Sequence, residues 1–300
     1  MMRNEGGNSQ ARILGMIVLA AILGLSLLTG CGGKHRELRK ASIDLGDKQL
    51  YDYGLAKMAK KKWLEARSVF RQLELRNPRG DLAPLVKLSI ADTYWNEKSV
   101  GSRAEAVAAY RSFLSFYPKH PKACYAQFQL ARYHMKHMES PERDQSDTHN
   151  AIRELQKLLV NYPDCELSEE ARGSLDACFN RLADHELKVA DYYFKLHKDQ
   201  AALGRYNYIL KNYYKYPRRD YVMYRLIVLY KRVEESEKME EVRKNLLENY
   251  PNSEYAYKAK GQNPPDEIKK EKKEKEKEAK RAKKEKKKQE KEKEQEEKSK

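Results

Sequence analysis

Proline recurs along this chain at the end of one apolar, helix-period segment after another, at Pro78, Pro118, Pro163, Pro217 and Pro251. Inside a helix a proline removes a backbone donor and clashes with the turn before it, so each one marks a helix that has ended. Four of the five follow a tyrosine: Tyr117, Tyr162, Tyr216 and Tyr250. The intervals are 40, 45, 54 and 34 residues. Recurrence on this scale is the signature of an array of small helical units, each too small to bury its apolar face alone.

The spacing inside each unit sharpens this. The first runs Gly54, Ala66, Phe70, Pro78: a small residue, a second small residue 12 on, a bulky residue 4 further, and proline 8 beyond. Two small residues let antiparallel helices approach closely, and the bulky one fills the gap they leave. The fifth unit keeps this spacing with degenerate residues, Ile227, Met239, Arg243 and Pro251. The fourth has Ala190, Ala202 and Tyr206, with Pro217 three positions late. The second (Ala91, Ala106, Tyr110, Pro118) and third (Ala131, Ala151, Leu155, Pro163) differ by longer turns. This is the grammar of tetratricopeptide repeats. It predicts an all-α fold, about ten helices in five pairs stacked as a superhelix with a concave face.

The N-terminus reads as an address. Residues 1–12 are polar and carry Arg3 and Arg12, and the chain is then apolar from Ile13 to Leu28 apart from Gly15, Gly24 and Ser26. Leu28-Thr29-Gly30-Cys31 follows. A charged start, an apolar stretch and small residues before a cleavage point make a secretory signal. The run ending in Cys31 resembles a bacterial lipobox. A membrane-spanning anchor is the alternative, since about 18 residues just suffice to cross. The lipobox reading places a diacylglyceryl group on the Cys31 sulfur and an acyl group on the freed amine. Several chains hold firmly where one would not, at about 0.8 kcal/mol per buried methylene. Gly32 favours the outer membrane over retention at the inner one. The expected organisation is a signal peptide over 1–30, a lipid-anchored linker over 31–46, five repeats over 47–260 and a Lys/Glu-rich tail over 261–300.

With Cys31 lipidated, Cys124, Cys165 and Cys178 remain. An odd number in an oxidising compartment leaves at least one thiol free. Cys165 and Cys178 are candidates to pair, but the expectation is three buried, inert thiols.

A net charge of +16 invites a nucleic-acid reading. Residues 264–300 hold 17 Lys/Arg and 12 Asp/Glu, however, and the remaining excess is spread thinly over the array. An exported lipoprotein does not meet nucleic acid. The tail has no aromatic residue and one bulky aliphatic, Ile268, so it cannot form a core. Pairs such as Glu271/Lys275 favour a solvated helix, and the tail is expected to be dispensable for folding.

Motifs of catalysis are missing: there is no Gly-rich phosphate loop and no G-x-S-x-G. No cofactor or metal is expected. His134 and His137 lie one helical turn apart without a ligand-spaced acid or thiol, and are read as solvent-facing. Asp184, His185 and Glu186 are adjacent on a helix, so their side chains diverge. Tyrosine is abundant, with 21 in all and ten between Tyr192 and Tyr230. Tyr193, Tyr206 and Tyr230 fill packing positions. There are more tyrosines than packing positions, and the surplus suits a protein–protein surface, because tyrosine buries area and keeps a polar tip.

Two stretches carry a more specific resemblance. The long turn of the third unit reads Glu139-Ser140-Pro141-Glu142-Arg143-Asp144-Gln145, and "RLADHELKVADYY" runs from Arg181 to Tyr193. Over about 47–258 the chain resembles the BamD family, the tetratricopeptide lipoproteins of the outer-membrane β-barrel assembly complex. The tail after Gly261 lies outside the family pattern, and "KNYYKYP" runs three residues long. The resemblance implies a non-catalytic scaffold on the periplasmic face of the outer membrane. Its partners would be the barrel-forming subunit, accessory lipoproteins and unfolded outer-membrane proteins. It places Arg205 against a carboxylate of the barrel subunit, with Tyr192 and Tyr208 beside it. Substrate peptide would meet Tyr53, Phe70, Tyr94 and Tyr125 on the N-terminal repeats. A pilotin-type tetratricopeptide lipoprotein, assisting secretin or pilus assembly, is the alternative; a peptidoglycan-associated adaptor is a weaker one.

Overall fold

The computed structural model describes residues 45–298. Cys31, the signal peptide and the start of the linker lie outside the described residues. Ten helices follow in five successive pairs: α1 (Asp47–Ala59) and α2 (Trp63–Arg76), α3 (Ala83–Glu97) and α4 (Val100–Phe116), α5 (Ala123–His137) and α6 (Ser146–Asn161), α7 (Ser168–Lys195) and α8 (Asp199–Asn212), and α9 (Arg219–Arg232) and α10 (Ser236–Asn249). A short α11 (Glu254–Ala259) and a long α12 (Asp266–Lys298) complete the chain. Among the described residues there is no strand, and no helix is long and apolar enough to cross a membrane.

In the first four units the expected packing positions are buried. Ala66, Phe70, Ala91, Ala106, Tyr110, Ala131, Ala151, Leu155, Ala190, Ala202 and Tyr206 are all 0% exposed. Gly54 shows why a small residue is required there. A Cβ on it would stand 2.5 Å from Cε1 of Phe70. The degenerate fifth unit is looser, with Met239 and Arg243 only half-buried. Within four of the five pairs the turn passes through a left-handed residue: Lys61, Lys98, His197 and Glu234 have φ of 57°, 64°, 55° and 61°. The third pair has the long turn instead.

The helices group into two compact units, one running to Tyr133 with Lys157–Ser168 added, the other comprising His134–Gln156 and everything from Glu169. In the first, Leu50, Ala66, Val69, Phe70, Leu73 and Val86 form one apolar cluster, and Trp95, Tyr110, Phe113 and Ala126 anchor another. The second unit centres on Leu187, Tyr206, Ile209, Leu226 and Leu229.

Two expectations about cysteine are corrected. Cys124 and Cys165 form a disulfide across a Cα–Cα distance of 6.5 Å, and Cys178 is the one free cysteine among the described residues and is buried. Cys124 opens α5 and Cys165 sits in the loop after α6, so a pair 41 residues apart in sequence meets in space. The tail also departs from expectation at its root. Pro264 is buried and Ile268 half-buried, whereas the rest of α12 is exposed wherever its side chains are described.

Candidate functional site

The long turn of the third unit is held by its own polar side chains. Gln145 is buried, and its amide donates to the carbonyls of Ser140 (2.9 Å) and Arg143 (3.0 Å). Its Oε1 accepts from Thr148 Oγ1 at 3.0 Å. Asp144 caps α6 by accepting from the Ser146 N–H (2.9 Å) and hydroxyl (3.0 Å), and these bonds hold its carboxyl below the usual range. The turn docks on α7. Arg181 donates to the Glu139 carbonyl (3.1 Å), His185 Nδ1 lies 2.6 Å from the Pro141 carbonyl, and Lys188 pairs with Glu142 at 3.0 Å. Asp184 and Glu186, beside His185, turn to other partners, Tyr216 and Arg205. The three adjacent residues thus diverge as expected. His134 is not solvent-facing: it is 9% exposed and sits 2.8 Å from Asp147 Oδ1.

In the first unit, Tyr53, Tyr94 and Tyr125 are half-buried on α1, α3 and α5. Each is held by a charged neighbour. Lys57 Nζ lies 5.0 Å from the Tyr53 ring centre. The Arg67 guanidinium stacks 3.7 Å from the Tyr94 ring and pairs with Glu97, while Arg71 donates to the Tyr94 hydroxyl. Tyr125 donates to Asp92 Oδ1 at 2.9 Å, beside Tyr110, which donates to the same atom at 2.6 Å. Phe70 must be removed from the peptide-contacting set. At 0% exposure it has no surface to offer, because its ring fills the space that Gly54 leaves. A cleft of about 500 Å³ that the sequence did not suggest lies nearby, lined by Asp47, Tyr51, Asn77, Leu82 and Val86. Its residues come from α1, α2, α3 and the turn before α3, so nothing local in the sequence marks it.

In the second unit Arg205 and Tyr208 line one depression with Tyr193 and Gly204, whereas Tyr192 lines a separate cleft with Pro141, His185 and Lys188. Tyr193 borders both. Tyr192 is 61% exposed and Tyr208 47%. Arg205 is not free of internal partners. It donates to Glu186 Oε2 at 2.7 Å, a bond that raises its already high pKa. Glu186 lies 19 residues earlier on α7, beyond the reach of same-helix spacing. The guanidinium side chain remains 46% exposed beside this carboxylate.

Deeper in this unit Asp191 collects a network. Tyr206 donates to its Oδ1 at 2.6 Å and Tyr221 at 2.9 Å. Arg225 Nε lies 3.6 Å from the same oxygen, donates to the Tyr221 hydroxyl at 2.7 Å, and its guanidinium covers the Phe194 ring at 4.1 Å. Burial pushes the Tyr221 hydroxyl up to about 12, and Tyr206 higher still. Among the described residues no three His, Cys, Asp or Glu side chains gather in a way that would hold a metal ion.

Residues 44–245 match the family model described as YfiO, outer membrane lipoprotein. Curated relatives agree. A protein of Caulobacter vibrioides named outer membrane protein assembly factor BamD is 26% identical over 214 residues, covering 71% of this chain and 69% of its own. The protein of the same name from Vibrio cholerae is 26% identical over 205 residues (65% and 82%). That from Rickettsia prowazekii is 24% identical over 247 residues (80% and 95%).

Proposed function

The chain belongs to the YfiO family of outer membrane lipoproteins, and from that premise we propose that it is a non-catalytic outer membrane protein assembly factor. In this reading it is a scaffold that binds the barrel-forming subunit and unfolded outer-membrane proteins while they insert. The observation that carries it is the family match over 44–245, which runs from before α1 well into α10. The geometry supports it: paired helices present half-buried tyrosines and exposed charge, a surface suited to polypeptide. The Cys124–Cys165 disulfide fits an oxidising compartment beyond the inner membrane.

Cys31 carries the lipid and sets the site of action at the periplasmic face of the outer membrane. Arg205, with Tyr208 in the same depression, docks the barrel subunit, and Glu186 orients the guanidinium for a second, external carboxylate. An arginine has enough planar donors to serve both. Tyr192 contributes from the neighbouring cleft. Tyr53, Tyr94 and Tyr125 receive substrate segments.

The test is affinity purification of the tagged chain from detergent-solubilised outer membrane, with the bound proteins identified by mass spectrometry. The barrel-forming subunit should co-purify. A secretin in its place would support the pilotin-type reading and end this one. The same sample gives the intact mass of the N-terminus; an unmodified precursor would remove the lipid from the account.

A further inference from the structure

The two units each contain a carboxylate that collects two tyrosines, and their registers correspond. Asp92 and Asp191 each follow a close-packed alanine, Ala91 and Ala190. Tyr110 and Tyr206 are the bulky residues of the second helices, and Tyr125 and Tyr221 each lie 15 positions further on. One helical turn beyond these stand Gln129 and Arg225. In the second unit Arg225 supplies the charge that answers Asp191. In the first unit the corresponding residue is a neutral amide.

The difference leaves two acceptors unanswered. Asp92 is half-buried, and among the described residues no cation pairs with it; its bonds come from Tyr110 and Tyr125 alone. Burial raises its pKa, and the two hydroxyls oppose that rise. Arg103 and Arg132 lie over the Trp95 ring at 5.0 and 5.5 Å and Arg67 over Tyr94, and among the described residues none of the three forms an ion pair with Asp92. Gln129 is 4% exposed, its amide adjoins the Tyr125 hydroxyl, and its Oε1 has no hydrogen-bond partner. A buried acceptor without a donor is costly, which makes such an atom a pointer to a ligand.

We infer that Asp92, Tyr125 and Gln129 form a receptor for an arginine side chain of a docked polypeptide. The carboxylate answers the charge, and the amide oxygen accepts a second N–H from the planar fork. A guanidinium offers both donors in one plane, which an ammonium does not. The inference rests on the scaffold reading above and adds to it a residue-level preference on the first unit, for basic rather than aromatic or acidic side chains.

The experiment uses the full mature chain in detergent and two blocked peptides, Gly-Ser-Arg-Ser-Gly and its citrulline twin. Tryptophan fluorescence reports binding, since Trp95 packs on Tyr110. The arginine peptide should bind at least tenfold more tightly. Asp92→Asn and Gln129→Arg should each reduce it to the citrulline level. Gln129→Arg builds the second unit's arrangement into the first, so it should also raise the melting temperature by about 2–4 °C. That gain should vanish in the Asp92→Asn background. Equal binding of the two peptides, or an equal melting change from Gln129→Arg in both backgrounds, overturns the receptor. If the peptides bind equally while the barrel subunit still co-purifies, only the receptor fails. If the arginine peptide is preferred but no barrel subunit co-purifies, only the scaffold reading fails.

Discussion

Replacing Gly54 by alanine adds one methyl group to a helix, a change that ordinarily stabilises by about 0.5–1 kcal/mol. Here the opposite sign is expected. The new Cβ would stand 2.5, 2.8 and 3.0 Å from Cε1, Cζ and Cδ1 of Phe70. Carbon contacts settle near 3.5–4.0 Å, so the ring must retreat by about 1 Å. Phe70 is 0% exposed, and Tyr51 backs it at a centroid distance of 5.6 Å, so there is no open side to retreat to. Overpacking of this kind costs about 1–3 kcal/mol. Subtracting the helix gain leaves a net loss near 1 kcal/mol, and at most about 2.5. Both tryptophans, Trp63 and Trp95, lie in the first unit. Their fluorescence in a urea titration therefore follows that unit even if the array does not unfold as one. In a Phe70→Leu background the obstruction is removed, and Gly54→Ala should become stabilising. A Gly54→Ala protein more stable than wild type, with Phe70 intact, would refute the small-against-bulky lock on which the fold is argued.

Reducing the Cys124–Cys165 bond, or Cys124→Ser with Cys165→Ser, frees a loop of 41 residues and should cost up to about 4 kcal/mol by chain entropy; identical melts with and without reductant would show that the bond does not constrain the fold. Burial pushes the Cys178 thiol up to about 11 from its ordinary 9.0, so between those values the unfolded chain has lost a proton that the native one keeps, and stability should fall as pH rises. Cys178→Ala should flatten that fall between pH 9 and 10, and parallel curves for the two proteins would contradict it. Truncation after Lys269 should leave stability within about 0.5 kcal/mol, as for other exposed changes, whereas truncation before the buried Pro264 should lower the melting temperature; equal melts would mean that the root of the tail contributes nothing. Arg205→Glu sets two carboxylates side by side and repels the partner's acid. Losing such a pair costs about 2–5 kcal/mol, some 30- to 4,000-fold in a pull-down of the barrel subunit's periplasmic domain, and undiminished capture by a folded variant would remove Arg205 from the interface.

The fold was legible because its steric demand is periodic. Close helix approach needs a small residue, and the gap beside it needs a bulky one, so Gly54, Ala66 and Phe70 announce themselves by spacing alone. The same logic identified Tyr110 and Tyr206 as packing residues, and both are fully buried. The local divergence of Asp184, His185 and Glu186 was equally readable. What escaped were meetings between residues far apart in sequence. Arg205 finds Glu186 across 19 positions, and Cys124 finds Cys165 across 41. His134 was misplaced because its acid, Asp147, lies beyond an eight-residue turn. Phe70 was misassigned for a different reason. An aromatic residue at a repeat position suits both groove and core, and only its burial decides between them. The two tyrosine-collecting aspartates went unseen because each draws on three helices, and no single stretch of sequence displays all three.

The measurement that reaches the central claim most directly is depletion of this chain in the cell that makes it, followed by gel mobility of heated and unheated outer-membrane samples. Folded β-barrel proteins resist detergent until heated, so the two lanes separate folded from unfolded forms. Folded barrel proteins of every kind should decline together while their unfolded chains accumulate in the periplasm. Unchanged barrel proteins, with a single secretin failing to assemble, would contradict the central claim.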